Sequence, residues 1–273
     1  MRLSICIIDM RAGISTASLF LRKNNEECFS LFRELCVDCT EVFFTSFCEY
    51  FPSFASSMVK EQGDIFVNSV HTLTTNFEPQ LYAVHPKIEK DSFDWLDKVL
   101  RSAQILGAKY YTFHGVARIK RSSAYNDFKL YGPRTQKIIE VCKRYGVSLA
   151  YENVEWSLYN RPGVFTALKE YCPDLKGVLD IKQARISGYD YREYLTEMGS
   201  SIAHVHVSDV RADGKMCLPG KGTFDFGELI DRLKDVGFDG CVLIEAYAKD
   251  YGDISELKES YEFLQELLYK KGK

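Results

Sequence analysis

Long hydrophobic runs are missing from this chain of 273 residues. Its apolar stretches, such as Val242–Ile244, are far shorter than the roughly 20 residues that a membrane-spanning helix needs. A secretory signal peptide is not expected, because the N-terminal segment carries only Arg2 and has no small-residue cleavage site of the A-x-A kind. We therefore expect no membrane partner and a cytoplasmic location.

A strong excess of one charge is also lacking. The chain has 35 lysine and arginine residues against 38 aspartate and glutamate residues, a net charge of −3 and a pI near 6.0. Without a basic excess, binding to nucleic acid or to an anionic membrane surface is disfavoured. The hydrophobic fraction of 46% is typical of a globular protein with a sizeable core, which excludes a disordered chain.

Paired cysteine motifs are scarce. The nine cysteines are odd in number and scattered, and Cys36 and Cys39 have C-x-x-C spacing without a second pair to complete a zinc site. We interpret the cysteines as reduced thiols that pack as small apolar side chains in a cytosolic protein. No linker rich in glycine, serine or proline divides the sequence, so residues 1–273 are expected to form one domain.

Short strand-like apolar runs alternate with longer segments of helical periodicity. Helical spacing is clear in Asp91–Leu106, where Phe93, Leu96 and Leu100 recur at intervals of three and four residues. The candidate strands are Leu3–Ile8, Thr40–Phe44, Phe66–Val70, Tyr110–Phe113, Ser148–Tyr151, Gly177–Leu179, Ala203–Val207 and Cys241–Ile244. Their ends recur about every 34 residues, which suits a βα unit. Eight such units favour an α/β fold with a single closed (β/α)8 barrel over an open sheet.

Six consecutive candidate strands end in residues that commonly bind metals. These residues are His71, His114, Glu152, Asp180, His206 and Glu245. In a (β/α)8 barrel the strand ends converge on one face. Two residues below the carboxylates lie Ala150, Val178 and Leu243, as a filled barrel interior requires. Because crowded carboxylates repel one another, a divalent cation at this face is the simplest remedy.

Five motifs in the C-terminal half carry a family resemblance. They are Y-E-N at Tyr151–Asn153, L-D-I-K-Q-A-R at Leu179–Arg185, H-V-H-V-S-D at His204–Asp209, L-P-G-K-G at Leu218–Gly222 and L-I-E-A at Leu243–Ala246. With these motifs the chain resembles the xylose-isomerase-like TIM barrels. That superfamily comprises sugar isomerases, epimerases and dehydratases, and it also contains apurinic endonucleases of the endonuclease-four type. The N-terminal half matches mainly by its strand pattern.

The resemblance implies a ligand set and a reaction. Glu152, Asp180, His206 and Glu245 would hold one divalent ion, with Mn²⁺ or Zn²⁺ favoured by the mixed donors and Co²⁺ or Mg²⁺ as alternatives. Glu152 and Glu245 match the acid and base of sugar epimerases and isomerases, which move a proton next to a carbonyl through an enediolate. The expected substrate is a small sugar, sugar phosphate, sugar acid or cyclitol. Barrels of this kind often form homo-oligomers.

Further residues near the strand ends are expected to contact the substrate. They are His71, His114, Trp156, Lys182, Gln183, Arg185, Arg211 and Lys221. For the two histidines a second metal ion is the alternative. The chain departs from the family at Gln183, where a histidine is common, and glutamine is a poor metal ligand. It departs again at Met216, where ketose epimerases carry an arginine that Arg211 or Lys215 could replace.

Three other functions stay open. A dehydratase of an inosose-like keto sugar would use the same metal with a different leaving step. A barrel that binds a sugar without turnover is the second alternative. Apurinic endonuclease activity is disfavoured, because its third zinc site would need ligands where this chain has Gln183, Gly214 and Met216.

Overall fold

The computed structural model describes residues 10–73, 76–117 and 127–272. Eight parallel strands in these residues close a barrel, in which the order around the barrel follows the chain. The barrel strands are β1 (Arg11–Ser15), β2 (Cys39–Phe44), β3 (Phe66–Thr72), β4 (Tyr110–Phe113), β5 (Ser148–Glu152), β6 (Lys176–Asp180), β7 (Ile202–Val207) and β10 (Cys241–Ile244). A separate antiparallel hairpin pairs β8 (Asp209–Val210) with β9 (Met216–Cys217). The predicted (β/α)8 barrel is confirmed.

The α-helices surround the barrel. They are α1 (Asn25–Glu34), α2 (Pro52–Gln62), α3 (Pro86–Leu106), α4 (Phe128–Arg144), α5 (Val164–Lys169), α6 (Ile181–Ile186), α7 (Tyr191–Met198), α8 (Phe226–Asp235) and α9 (Ile254–Gly272). The helix predicted over residues 91–106 begins earlier, at Pro86, because the preceding His85 caps the first turn and proline needs no N–H partner there. Within the described residues no helix combines the length and the apolar character needed to cross a membrane.

The first barrel strand differs from the sequence prediction. The predicted strand Leu3–Ile8 lies outside the described residues, and β1 occupies the place between β10 and β2. Gly13 permits this close packing, because a Cβ at that position would lie 2.5 Å from the carbonyl oxygen of Cys39. The prediction favoured the more apolar segment, whereas β1 depends on a small residue at a crowded position.

The barrel interior is apolar towards the start of the strands. Cys39, Cys241 and Leu243 form one buried cluster, and Ala150 and Val178 belong to another. The apolar layer predicted below the carboxylates is therefore confirmed. It fills the barrel and leaves the opposite end of the strands for polar side chains.

The main core lies between the barrel and its helices. Val42 and Phe44 of β2 and Leu96, Val99 and Leu100 of α3 are fully buried within one continuous apolar cluster. The apolar stripe that the helical periodicity predicted is the face that α3 buries. This packing fixes the strands, and with them the side chains at the strand ends.

Candidate functional site

The four predicted ligands lie together at the C-terminal ends of their strands. Glu152 ends β5, Asp180 ends β6, His206 lies in β7, and Glu245 directly follows β10. Each offers one ligand atom, and these atoms all lie within 4.8 Å of one another. His206 Nδ1 is 2.9 Å from Glu152 Oε1 and 2.7 Å from Glu245 Oε2. The register explains this grouping, since His206 pairs with Asp180 on one side and with Leu243, two residues before Glu245, on the other.

The cluster is buried, and its charges perturb one another. Glu152, Asp180 and His206 are at most 2% exposed. Burial alone would raise the pKa of Glu152, but the imidazole of His206 holds it well below its usual range. Burial would lower the pKa of His206, but Glu245 and the other carboxylates hold it well above its usual value. Burial, together with the neighbouring carboxylates, raises the pKa of Asp180 to about 7 despite a nearby lysine.

Two carboxylate oxygens in the cluster suit a cation. Glu152 Oε2 and Glu245 Oε2 are buried, and each lies close to an imidazole nitrogen, His114 Nε2 at 2.8 Å from the first and His206 Nδ1 at 2.7 Å from the second. Buried carboxylates are costly unless a proton or a cation balances their charge. Three carboxylates and one imidazole form a mixed oxygen and nitrogen donor set of the kind that binds Mn²⁺ or Zn²⁺. The residues present therefore fit a divalent metal ion.

Neighbouring polar groups hold Asp180 in place. Its backbone N–H donates to Asn153 Oδ1 at 2.8 Å, and Asn153 Nδ2 donates to its carbonyl oxygen at 2.9 Å. Its Oδ1 atom accepts from the backbone N–H of Gln183 at 2.8 Å and so caps α6. The side-chain oxygen of Gln183 accepts from the backbone N–H of Glu155 at 3.2 Å. Gln183 thus braces the loop after β5, and its contact with a substrate stays a prediction.

His71 and His114 extend the cluster on the side of β3 and β4. Their Nε2 atoms are 3.0 Å apart, and His114 Nε2 is 2.8 Å from Glu152 Oε2. With Glu152 they form a second group whose potential ligand atoms lie within 4.8 Å of one another. Burial would lower the pKa of His71, but Glu41 raises it to about 9. Both histidines lie at the site, and whether they contact substrate or a second metal stays a prediction.

Glu41 is the site residue that the sequence analysis missed. It is fully buried in the middle of β2, inside the barrel. Its carboxylate oxygens lie 3.0 Å from His206 Nε2, 3.3 Å from His204 Nε2 and 3.5 Å from His71 Nδ1. Three hydroxyl groups also donate to it, those of Ser15, Ser69 and Thr112. The available signal was one charged residue in the run C-T-E-V-F-F, because a buried carboxylate needs partners.

Three of the other predicted substrate residues lie beside the cluster. Lys182 is buried, with its Nζ 3.9 Å from Asp180 Oδ2. Arg211 lines the same cavity as Lys182. The ring of Trp156 lies 5.4 Å from the ring of His114.

Lys221 contacts α9, and its contact with a substrate stays a prediction. It is exposed, and its ammonium pairs with Glu259 of α9 at 2.5 Å. The preceding turn also packs on α9, since Ser260 donates to the Pro219 carbonyl oxygen at 2.5 Å. The P-G-K-G motif therefore fixes a turn against a helix. Arg185 is exposed in the last turn of α6, and no contact within the described residues brings it to the ligand cluster.

A family model for the xylose isomerase-like TIM barrel matches residues 55–267. The chain belongs to this family. It is 30% identical over 144 residues to the uncharacterized protein MJ1311 of Methanocaldococcus jannaschii, an alignment that covers 48% of this chain and 46% of that protein. It is 26% identical over 126 residues to an inosose dehydratase of Geobacillus kaustophilus, covering 39% and 41%. The chain thus spans less than half the length of these curated relatives.

Solved structures resemble the chain over nearly its whole length. A D-psicose 3-epimerase crystallised in the presence of D-fructose superposes with a TM-score of 0.78 at 15% identity, covering 95% of this chain and 99% of that one. The IOLI protein with a bound zinc atom superposes with a TM-score of 0.75 at 17% identity, covering 96% and 99%. At these identities the likeness shows the shared fold, in a superfamily that includes sugar epimerases.

Proposed function

We propose that the protein is a divalent-metal-dependent isomerase or epimerase of a small sugar or cyclitol, acting by proton transfer next to a carbonyl. The observation that carries this proposal is the grouping of Glu152, Asp180, His206 and Glu245 around one point at the mouth of the barrel. In this proposal two of the three carboxylates, those of Glu152 and Glu245, move protons as general acid and base. The family and its epimerase members support the same reading.

The metal would be held by the same four side chains. When bound, a divalent ion supplies a Lewis acid that polarises a carbonyl and an adjacent hydroxyl. The zinc atom in the IOLI protein supports zinc as one candidate, and the donor set admits manganese equally. The metal-binding residues come from four different strands, so the barrel must be closed before the site exists.

In the proposed reaction, Glu152 and Glu245 exchange protons with the substrate. Burial would raise the pKa of Glu245, but His206 holds it below its usual value, so both glutamates are ionised and can accept a proton. One carboxylate oxygen would remove the proton from the carbon next to the carbonyl and leave an enediolate. Return of a proton to the opposite face of that carbon gives an epimer. Return to the neighbouring carbon gives an isomer.

The test is exchange of solvent deuterium into the substrate. Ketoses and cyclitol ketones are incubated with the metal-loaded protein in D₂O, and deuterium at the carbon next to the carbonyl is followed by NMR. Glu152→Gln and Glu245→Gln should each slow exchange by about 10²–10⁴-fold, the contribution of a positioned acid or base. Glu266→Gln removes a charge from an exposed position on α9 and should leave exchange unchanged. Exchange at the normal rate in both site variants would refute the acid and base assignment.

Elemental analysis tests the metal separately. We expect about one equivalent of metal in the wild type and a loss of that metal in Glu245→Gln. About two equivalents would assign a second ion to His71 and His114. No metal after reconstitution with zinc or manganese would favour a barrel that binds sugar without turnover.

Dehydration of an inosose-like keto sugar is the second candidate function, supported by the similarity to an inosose dehydratase. The same glutamates would remove a proton, and a β-hydroxyl would leave as water. This reaction forms an absorbing enone or dione, whereas epimerisation does not. Ultraviolet absorbance during turnover therefore separates the two reactions.

A further inference from the structure

A cavity of about 670 Å³ opens directly beside the ligand cluster. Its wall includes Lys182, which follows the ligand Asp180 by two residues, and Tyr247, which follows the ligand Glu245 by two residues. The Lys182 ammonium lies 3.5 Å from the carbonyl oxygen of Glu245 and 3.9 Å from Asp180 Oδ2. The volume is in the range of small-molecule sites. Lys182 therefore borders both the cavity and the ligand cluster.

The wall of this cavity is strongly basic in a protein whose net charge is −3. It carries Lys182, Arg211, Lys215 and Lys249 against a single carboxylate, that of Asp250. Asp250 is engaged locally, because its Oδ2 atom accepts the backbone N–H of Tyr247 at 3.0 Å.

Only one of the three exposed cations has its charge balanced nearby. Lys215 pairs with Asp213 at 3.3 Å. Among the described residues, Arg211 and Lys249 have no carboxylate within ion-pair distance. Within the described residues, two cations thus line the cavity without an ion pair.

Two of the ammonium groups lie against one aromatic ring. Lys182 Nζ is 4.3 Å and Lys249 Nζ is 5.6 Å from the centroid of the Tyr247 ring. Lys182 is buried, with 2% of its surface exposed, whereas Tyr247 is 47% exposed. The Tyr247 ring attracts both ammonium groups, but the two positive charges repel each other. An anion bound between them would reduce this repulsion. The buried charge of Lys182 is balanced in part by Asp180, whose Oδ2 atom lies 3.9 Å away.

We infer that the substrate of this site carries an anionic group, a phosphate ester or a carboxylate, which binds in the cavity lined by Lys182, Arg211 and Lys249. This inference rests on the proposed function and names its substrate class. The carbonyl end of the sugar would lie at the metal-binding cluster, and the anionic end would lie in the basic cavity. Guanidinium and ammonium groups donate charge-assisted hydrogen bonds to such oxyanions.

The test measures binding without reaction. The full-length protein is titrated in a calorimeter with D-glucitol 6-phosphate, D-gluconate and D-glucitol, which have no carbonyl to isomerise. We expect the phosphate ester to bind at least about tenfold more tightly than the neutral polyol, and added salt to reduce the difference. Comparable tightening with gluconate would identify a carboxylate as the anionic group. Equal affinity for all three probes, or no binding of the phosphate ester at millimolar concentration, would overturn the inference.

Variants then locate the anionic group. Arg211→Met and Lys249→Met replace exposed side chains, so folding should be unaffected, and each should weaken phosphate ester binding by about tenfold. Lys60→Met and Arg144→Met remove the same charge types from exposed positions on α2 and α4 and should change the affinity less than twofold. Equal losses in all four variants, or no loss in Arg211→Met and Lys249→Met, would refute the assignment.

The last experiment repeats the titrations after the metal has been removed. The preference for the phosphate ester should persist after treatment with EDTA, because side chains form the proposed subsite. Loss of the preference would place the phosphate on the metal and overturn the inference. The titrations need no turnover, so they test this inference separately from the proposed function. Failure of the proposed function would appear as absence of deuterium exchange, whereas failure of this inference would appear in the titrations.

Discussion

Replacing Glu41 with glutamine removes one buried charge from the barrel interior while nearly keeping the size of the side chain. In the wild type this carboxylate lies within 3.5 Å of nitrogen atoms on three histidines. The contact of 3.0 Å with His206 Nε2 matters most, because Nδ1 of the same ring points into the ligand cluster. A neutral imidazole that binds a metal through Nδ1 would carry its proton on Nε2, and Glu41 Oε1 lies at ion-pair distance from that nitrogen, 3.0 Å away.

The expected magnitude follows from this placement. Loss of the outer partner of a metal-binding histidine lowers metal affinity by about 10–100-fold. At the upper end this corresponds to about 2.7 kcal/mol of binding free energy. Glutamine can still accept hydrogen bonds from the neighbouring hydroxyls through its Oε1 atom, so the barrel should remain folded. The loss is therefore expected in metal affinity rather than in secondary structure.

Competition against a chromogenic chelator measures the zinc dissociation constant of both proteins, and circular dichroism checks their fold. Glu197→Gln is a suitable control, because Glu197 also accepts hydrogen bonds, from Tyr159 Oη and the N–H of Gly163, without contact to the cluster. It should leave zinc affinity unchanged. A Glu41→Gln protein that is folded and binds zinc within threefold of the wild type would refute the positioning role of Glu41.

Three further predictions follow from other parts of the molecule. Metal affinity should fall as the pH is lowered, because the ion must displace a proton from His206 and, below about pH 7, a second proton from Asp180. Calorimetry of metal binding should therefore show about one proton released above pH 7 and about two released below it. A slope unchanged across pH 7 would contradict the raised pKa of Asp180. Gly13→Ala should destabilise the fold by about 1–3 kcal/mol in urea, because the new methyl group would meet the Cys39 carbonyl oxygen; unchanged stability would mean that β1 can shift. Arg22→Met should lower stability by about 1–3 kcal/mol, since Arg22 donates to three backbone carbonyls of the loop after β10, and an unchanged urea midpoint would show that this loop is held otherwise.

The sequence was most informative at positions where a polar residue ends an apolar strand, because both the strand pattern and the residue type point to the same site. Glu152, Asp180 and His206 each end an apolar run or lie near its end, and parallel strands bring such ends to one face. This made the convergence of these side chains predictable from the sequence, whereas their role as metal ligands is what the family resemblance implies and stays a prediction. The apolar residues two positions earlier, such as Val178, were predictable by the same alternation.

The misses have physical reasons. Glu41 lies in mid-strand, so a search of strand ends passes over it, and its partners on β3 and β7 are distant in the chain. The motif assigns Lys221 to the substrate, which stays a prediction, whereas its pairing with Glu259, 38 residues later, is a contact that local spacing does not reveal. The first strand was assigned to the more apolar segment, whereas β1 needs the small Gly13. That residues 1–273 form one domain stays a prediction.

The polar interior links the two halves of the barrel. The motifs that identify the family lie mostly on β5 to β10, yet Glu41 of β2 contacts His206 of β7 across the barrel. His71 of β3 contacts His114 of β4, which in turn contacts Glu152 of β5. A continuous path of carboxylates and imidazoles therefore crosses the barrel beneath the site. Because each member influences the orientation or charge of the next, we expect residues of the N-terminal half to affect metal binding, although the four proposed ligands lie in the C-terminal half.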